Sequence, residues 1–145
     1  MLIVKKINTQ PYNYNVIFCF NDDETDVESV EKILSKNRIS TDNIEKWIDD
    51  AKGWTFDNGC MSIVLLNLFT LESQNDLLVT LRHEIHHASA NCFEFICNDI
   101  TVLDEEVFLY LNDWLFEQGL KLIDKHNIKI IKKEKEEYGN KSKKR

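Results

Sequence analysis

Residues 75 to 97 read NDLLVTLRHEIHHASANCFEFIC. When successive residues are turned by about 100° around a helix axis, the apolar residues of this stretch fall within about 100° of one another. They are Leu77, Leu78, Leu81, Ile85, Ala88, Cys92, Phe95 and Ile96. The pattern predicts one long amphipathic helix whose apolar stripe packs against the rest of the molecule.

Three histidines and a glutamate lie on this predicted helix, away from its apolar stripe. With Leu81 at zero, the stripe is centred near about 10°, whereas His83 and His87 lie at about 200° and 240°. Glu84 lies at about 300°, on the flank between the histidines and the stripe. Because residues four apart stand one turn apart on one face, His83 and His87 are placed to bind one metal ion.

The His-Glu-x-x-His spacing matches the needs of a zinc hydrolase. Zinc binds imidazole nitrogens, and a catalytic zinc keeps one coordination position for water. Glu84, one position after the first histidine, can take a proton from that water as a general base. The motif therefore indicates a zinc centre with His83 and His87 as ligands. A solvated helix face on which histidines cluster by chance would give the same letters, so the motif alone leaves both interpretations open.

The third histidine of the cluster, His86, follows His83 by three residues, so these two could also form a metal-binding pair. Its direction, about 140°, converges less well with Glu84. We therefore expect His86 to lie outside the ligand set, either near the ligands or on the surface. A closed site with four ligands that included His86 would instead favour a purely structural zinc.

A catalytic zinc usually takes three protein ligands, so one more is expected from another element. His126 is a poor candidate because it lies in a polar segment near the C-terminus. Glu94 lies about 10 Å further along the helix than the second histidine, which is too far to bind the same ion unless the helix breaks sharply. The acidic residues Asp104, Glu105 and Glu106 begin the next predicted helix, and an antiparallel return would bring them beside the histidines.

Glu106 shares one face of that next helix with Tyr110 and Asp113. Such a face could offer a metal ligand and an oxyanion donor together. Acidic residues at the start of a helix also complement the helix macrodipole without any metal. From spacing alone the two interpretations stand equal, and Glu105 remains an alternative ligand.

The segments LRHEIHHAS and DEEVFLYLNDWLFE together resemble small phage-encoded zincin-like proteins that are described as metallopeptidases. The resemblance implies a site with His83 and His87 as zinc ligands, Glu84 as general base, Glu106 as acidic ligand and Tyr110 at the position of the family's tyrosine. Leu109 departs from the family's usual alanine but touches no ligand position. The resemblance covers roughly residues 5–118, and only its two helical motifs are specific.

The remaining patterns predict how the domain is organised. Strands are expected at residues 2–7, 15–20, 54–56 and 60–67, and helices from about residue 27, at 41–51, at 75–97 and from about residue 104. The turn Asp57-Asn58-Gly59 predicts that the last two strands form a hairpin.

With the resemblance, these elements give an α+β fold. A single zincin-like domain, residues 1–128, would pack a small antiparallel sheet against the His-Glu-x-x-His helix and the acidic-start helix after it. In zincins the edge strand of the sheet lies beside the metal and can accept a peptide as an added strand, and we expect residues 60–67 to be that edge. The alternative is that residues 60–67 form a central strand, since their run is apolar for an exposed edge, and this substrate route would then fail. Residues 129–145 are predicted to form a basic, flexible tail.

The charge and the composition of the chain limit which classes of partner are expected. The net charge is −7, and residues 129–145 hold eight Lys or Arg against three Glu, so residues 1–128 carry −12. An acidic body repels nucleic acid, so no specific nucleic-acid partner is expected. The four cysteines form no C-x-x-C pair, which favours free thiols in a reducing compartment. No apolar run approaches the roughly 20 residues that span a bilayer, so no membrane partner is expected.

The sequence thus predicts a zinc-dependent hydrolase of the cytoplasm, or of the host cytoplasm if a phage encodes it. A metallopeptidase that cleaves a peptide or protein substrate with a metal-activated water is the first hypothesis, and hydrolysis of a non-peptide amide is a variant of it. The alternative is a non-catalytic zincin-fold binding protein that inhibits or sequesters a host factor. An intact Glu84 favours the enzyme, because a structural site needs no base.

Overall fold

The computed structural model describes residues 1–10, 12–42, 44, 48, 50–96 and 102–131. Its strands are β1 (Leu2–Thr9), β2 (Tyr14–Asn21), β3 (Gly53–Asp57) and β4 (Met61–Asn67), and its helices are α1 (Val27–Lys36), α2 (Gln74–Ile96) and α3 (Val102–Lys125), with a 3-10 turn at Leu68–Thr70. The α+β architecture and all these strands and helices were predicted. Of the predicted helix at 41–51, residues 41, 42, 44, 48, 50 and 51 are described, and the predicted tail at 129–145 lies largely outside the described residues.

The four strands form a mixed sheet in the order β1-β2-β4-β3. The pairs β1–β2 and β3–β4 are antiparallel hairpins, but β2 and β4 run parallel, from Asn15 opposite Met61 to Asn21 opposite Asn67. The expectation of a purely antiparallel sheet was therefore wrong. The connection from β2 through α1 is long enough for a crossover, and the nearly continuous apolar runs of β2 and β4 are typical of strands covered on both faces.

The edge strand beside α2 is β3, whereas β4 lies between β2 and β3. All seven residues of β4 are buried. The expectation that residues 60–67 form the edge was wrong for the same physical reason: a strand with apolar residues on both faces is stable only in the centre of a sheet.

Each face of the sheet has its own core. On one face the side chains of Phe18, Phe20, Val64 and Leu66 pack against α2 and α3. On the other face Ile17, Ile63 and Leu65 pack against α1 and against Ile44 and Ile48. No helix in the described ranges is long and apolar enough to cross a membrane.

The helix α3 runs antiparallel to α2, as the sequence predicted. The ring of Phe108, near the start of α3, lies 5.4 Å from that of Phe93, near the end of α2. Further along α3, a Cβ atom at Gly119 would come within 2.9 Å of a methyl group of Leu81. Phe93 is therefore buried under α3, whereas Phe95, which the helical pattern assigned to the buried stripe, is 45% exposed.

The start of α2 is fastened to the start of β3. The Ser73 hydroxyl accepts a hydrogen bond from the Asp76 amide, and the Asp76 carboxylate accepts one from the Glu72 amide, in the manner of a capping box. The Lys52 ammonium lies 2.8 and 3.0 Å from the two carboxylate oxygens of Asp76. Since Lys52 directly precedes β3, this ion pair holds the edge strand against the helix that carries the histidines.

Candidate metal centre

The exposed face of α2 brings two imidazole nitrogens together. The Nε2 atoms of His83 and His87 lie 3.2 Å apart, and their rings meet at 76°. Two nitrogens bound to one tetrahedral zinc at about 2.0–2.1 Å would lie about 3.3–3.4 Å apart. The pair therefore fits a zinc ion with little movement. Neutral imidazoles at this distance can also share an N–H···N hydrogen bond, which would hold both rings in place without metal.

Glu84 directly follows His83 along α2 and is only 6% exposed. A buried carboxylate needs hydrogen-bond donors. The Thr55 hydroxyl, on β3, lies 2.7 Å from Glu84 Oε2 and 2.9 Å from the Glu84 carbonyl oxygen. The edge strand thus supplies a donor to the residue that the sequence predicts as general base.

The close approach of β3 to α2 depends on Gly53. A Cβ atom at this position would lie 2.8 Å from Glu84 Cγ and 2.9 Å from Thr80 Cγ2. Gly53 and Thr55 pair with Leu66 and Val64 of β4, so both are on the face of the sheet that α2 covers. The strand backbone therefore lies directly against the Glu84 side chain.

His86 faces a different neighbour. Its ring lies 5.3 Å from that of Phe108, nearly perpendicular to it, so it borders α3. Arg82, one turn earlier on α2, likewise lies over the ring of Phe116 on α3. The side of α2 that meets α3 is thus distinct from the side that carries the close histidine pair.

Glu106 and Tyr110 lie on α3, and no contact of the described residues joins either of them to the histidine pair. The Phe108 ring contacts α2. At about 100° per residue, Glu106 lies about 160° around the α3 axis from Phe108, whereas Glu105 lies about 60° from it. Tyr110 is 71% exposed and borders a shallow cavity with Tyr12 near the β1–β2 turn. Among the described side chains, no three His, Cys, Asp or Glu residues converge to hold a metal ion, and the side chain of Asp104 is outside that set.

The sequence interpretation missed the two residues of β3 that contact Glu84. The alternation of Gly-Trp-Thr-Phe-Asp places Gly53 and Thr55 on one face of a strand. That pattern could have identified them as facing a helix, but not which helix residue they meet.

Two imidazoles positioned for one ion and a buried carboxylate one residue away can bind zinc and accept a proton from water. Comparisons with models of protein families, with curated proteins and with solved structures found no match for the chain.

Proposed function

We propose that the protein is a zinc-dependent hydrolase, and more specifically a metallopeptidase of the phage zincin-like kind that its two helical motifs resemble. The observation that supports this best is the 3.2 Å separation of the His83 and His87 Nε2 atoms. It matches the spacing of two ligands on one zinc ion, and the buried Glu84 lies next to it along the helix.

Each residue has a defined part in this proposal. His83 and His87 hold the ion, and zinc, when bound, makes a coordinated water a stronger acid. Glu84 removes a proton from the attacking water while the water oxygen bonds to the peptide carbonyl carbon. Glu84 then gives the proton to the departing amine nitrogen as the C–N bond breaks, so the products are a carboxylic acid and an amine.

The third ligand is proposed to come from the first turns of α3. Glu106 is supported by the resemblance, and Glu105 by its direction on the helix, which is closer to that of Phe108. The part of oxyanion donor is proposed for Tyr110 on the resemblance alone.

The proposed substrate is an extended peptide that lies along β3. This strand is the edge of the sheet nearest to Glu84, and backbone hydrogen bonds along an edge strand are one of the common ways in which proteins bind peptides. The proposed peptide-binding strand is therefore β3, and not β4 as the sequence analysis expected.

The cytoplasm, or the host cytoplasm for a phage protein, is the proposed compartment. Cys19 is a buried free thiol, and burial raises its pKa to about 12. Such thiols behave as small apolar core residues, which suits a reducing environment.

The deciding experiment is Glu84→Gln, measured with a peptide-library digest and zinc analysis. The variant should keep zinc and fold, because Glu84 need not touch the metal. Its hydrolysis should fall by about 10²–10⁴-fold, since an amide cannot take the proton. Glu94→Gln, an exposed substitution on the same helix, is the matched control and should retain activity.

The same variant separates the enzyme from the alternative, a zincin-fold protein that binds and inhibits a host factor. If Glu84→Gln kept zinc and the full biological effect of the wild type, the chemistry would be irrelevant. The binding function would then replace the peptidase.

A further inference from the structure

One hydroxyl of the edge strand touches Glu84 at two points. The Thr55 Oγ1 atom lies 2.7 Å from the carboxylate oxygen Oε2 and 2.9 Å from the carbonyl oxygen of the same residue. A hydroxyl has one hydrogen, and a bond to an ionised carboxylate is stronger than one to a neutral carbonyl. Thr55 therefore donates to the carboxylate when Glu84 is ionised.

This contact restricts a side chain that would otherwise be mobile. A glutamate side chain has several rotatable bonds, so holding it in a single rotamer costs conformational entropy. A general base works only within hydrogen-bond reach of the proton that it removes. Thr55 fixes one oxygen of the carboxylate and leaves the other oxygen free of that bond.

Gly53 restricts the same side chain from a second direction. The backbone of β3 lies so close to α2 that a Cβ atom at Gly53 would lie 2.8 Å from Glu84 Cγ. The aliphatic part of Glu84 therefore packs against the strand, while its carboxylate is held two residues further along by Thr55.

We propose that Thr55 is a positioning residue for the general base: its hydroxyl holds the Glu84 carboxylate in the orientation that proton transfer needs. The inference rests on the proposed hydrolase function. In a purely structural role, by contrast, Thr55 would only fasten β3 to α2 through its hydrogen bond to the Glu84 carbonyl.

The test compares Thr55→Val, which removes the hydroxyl at nearly constant volume, with Thr55→Ser, which keeps it. In Thr55→Val, kcat should fall by about 10–100-fold, the loss expected for a hydrogen bond to a charged group. KM and zinc content should change by less than about twofold, because the hydroxyl touches neither substrate nor metal in this proposal. Thr55→Ser should recover most of the lost kcat.

A second measurement needs no activity. In zinc-free protein with ¹³C-labelled glutamate carboxyl groups, the Glu84 signal is identified by its disappearance in Glu84→Gln. That signal should shift in Thr55→Val and return toward its wild-type position in Thr55→Ser.

Thr70→Val is the matched control, since the Thr70 hydroxyl also donates to a carbonyl, that of Asn67 at 2.8 Å, but outside the site. This variant should lose a similar amount of stability with no change in kcat or in the Glu84 signal.

Three results would overturn the positioning role: wild-type kcat in Thr55→Val, a Thr55→Ser variant as slow as Thr55→Val, or an unmoved Glu84 signal. If the wild type itself hydrolysed no peptide, the proposed function would fail instead. The carboxyl signal would still show whether Thr55 holds Glu84, so the two failures are distinguishable.

Discussion

A histidine ring offers one lone pair to a metal, and its position on a helix decides whether a second ring can offer another to the same ion. His83 and His87 are placed for this because four residues make slightly more than one helical turn, which leaves their Nε2 atoms 3.2 Å apart. This part of the site could be predicted from the sequence, since it depends only on a helix forming. The contact between Thr55 and Glu84 could not, because it joins residues 29 positions apart through the packing of β3 on α2.

The first prediction at the residue scale concerns which histidines bind zinc. Wild-type protein should hold about one zinc per chain, as a single catalytic site requires. His83→Ala and His87→Ala should each lose it, whereas His86→Ala should retain it, because His86 borders Phe108 of α3. Zinc content after dialysis against a weak chelator measures all three. Equal loss from the three variants would make His86 a ligand.

The second prediction concerns the acidic ligand. The resemblance leads us to expect that Glu106→Ala weakens zinc binding strongly and Glu105→Ala only weakly, as measured by competition with a zinc-sensitive dye. Asp113→Ala, another exposed acidic residue of α3, serves as the control and should leave the affinity unchanged. The reverse order for the two glutamates would make Glu105 the ligand, in agreement with its direction on α3.

At the scale of elements, the hydrophobic periodicity predicted the strands and helices but not the order of the strands. The hairpin of β3 and β4 follows from the local turn at Asp57-Asn58-Gly59, where Gly59 adopts a φ of 86° that suits glycine. Which strand of that hairpin becomes the edge depends on what covers its two faces. Because β4 is buried along its whole length, it takes the central position in the sheet. In the sequence this burial appears as an apolar run without regular alternation of polar residues.

The third prediction tests how tightly α2 and α3 pack. In an ordinary helix Gly→Ala stabilises by about 0.5–1 kcal/mol. At Gly119 the new Cβ would meet two methyl groups of Leu81 at 2.9 and 3.0 Å, and Leu81 is fully buried. Overpacking of this kind costs about 1–3 kcal/mol, so Gly119→Ala should lower the free energy of unfolding by about 1 kcal/mol.

Urea denaturation measures the change, with the exposed Lys121→Ala as a control in the same helix. A Gly119→Ala protein more stable than the wild type would mean that Leu81 moves aside and that the two helices are not in close contact there.

For the whole molecule, the site depends on how the sheet and α2 are held together. The Lys52–Asp76 pair joins them at the end of β3 where Gly53 lies against Glu84. The hydrogen bond from Lys52, followed by that from the Glu72 amide, lowers the pKa of Asp76 from its ordinary value. A carboxyl group whose pKa is lower in the folded state stabilises the fold above its unfolded pKa, which is about 3.9. That contribution disappears as the pH falls through the folded value.

Asp76→Asn should therefore reduce stability near neutral pH and lose its effect in acid. The expected loss at pH 7 is at most about 1 kcal/mol, because the pair is partly exposed and screened by salt. As the pH falls through the lowered pKa of the wild-type Asp76, its carboxyl group becomes neutral, so the two proteins should approach each other in urea denaturation. Asp124→Asn, an exposed change near the end of α3, should show no such convergence.

Hydrogen exchange should also show β3 losing protection in Asp76→Asn while β1, at the far edge of the sheet, keeps it. Equal loss in both strands would mean that the ion pair stabilises the domain as a whole and does not selectively hold the strand that carries Thr55.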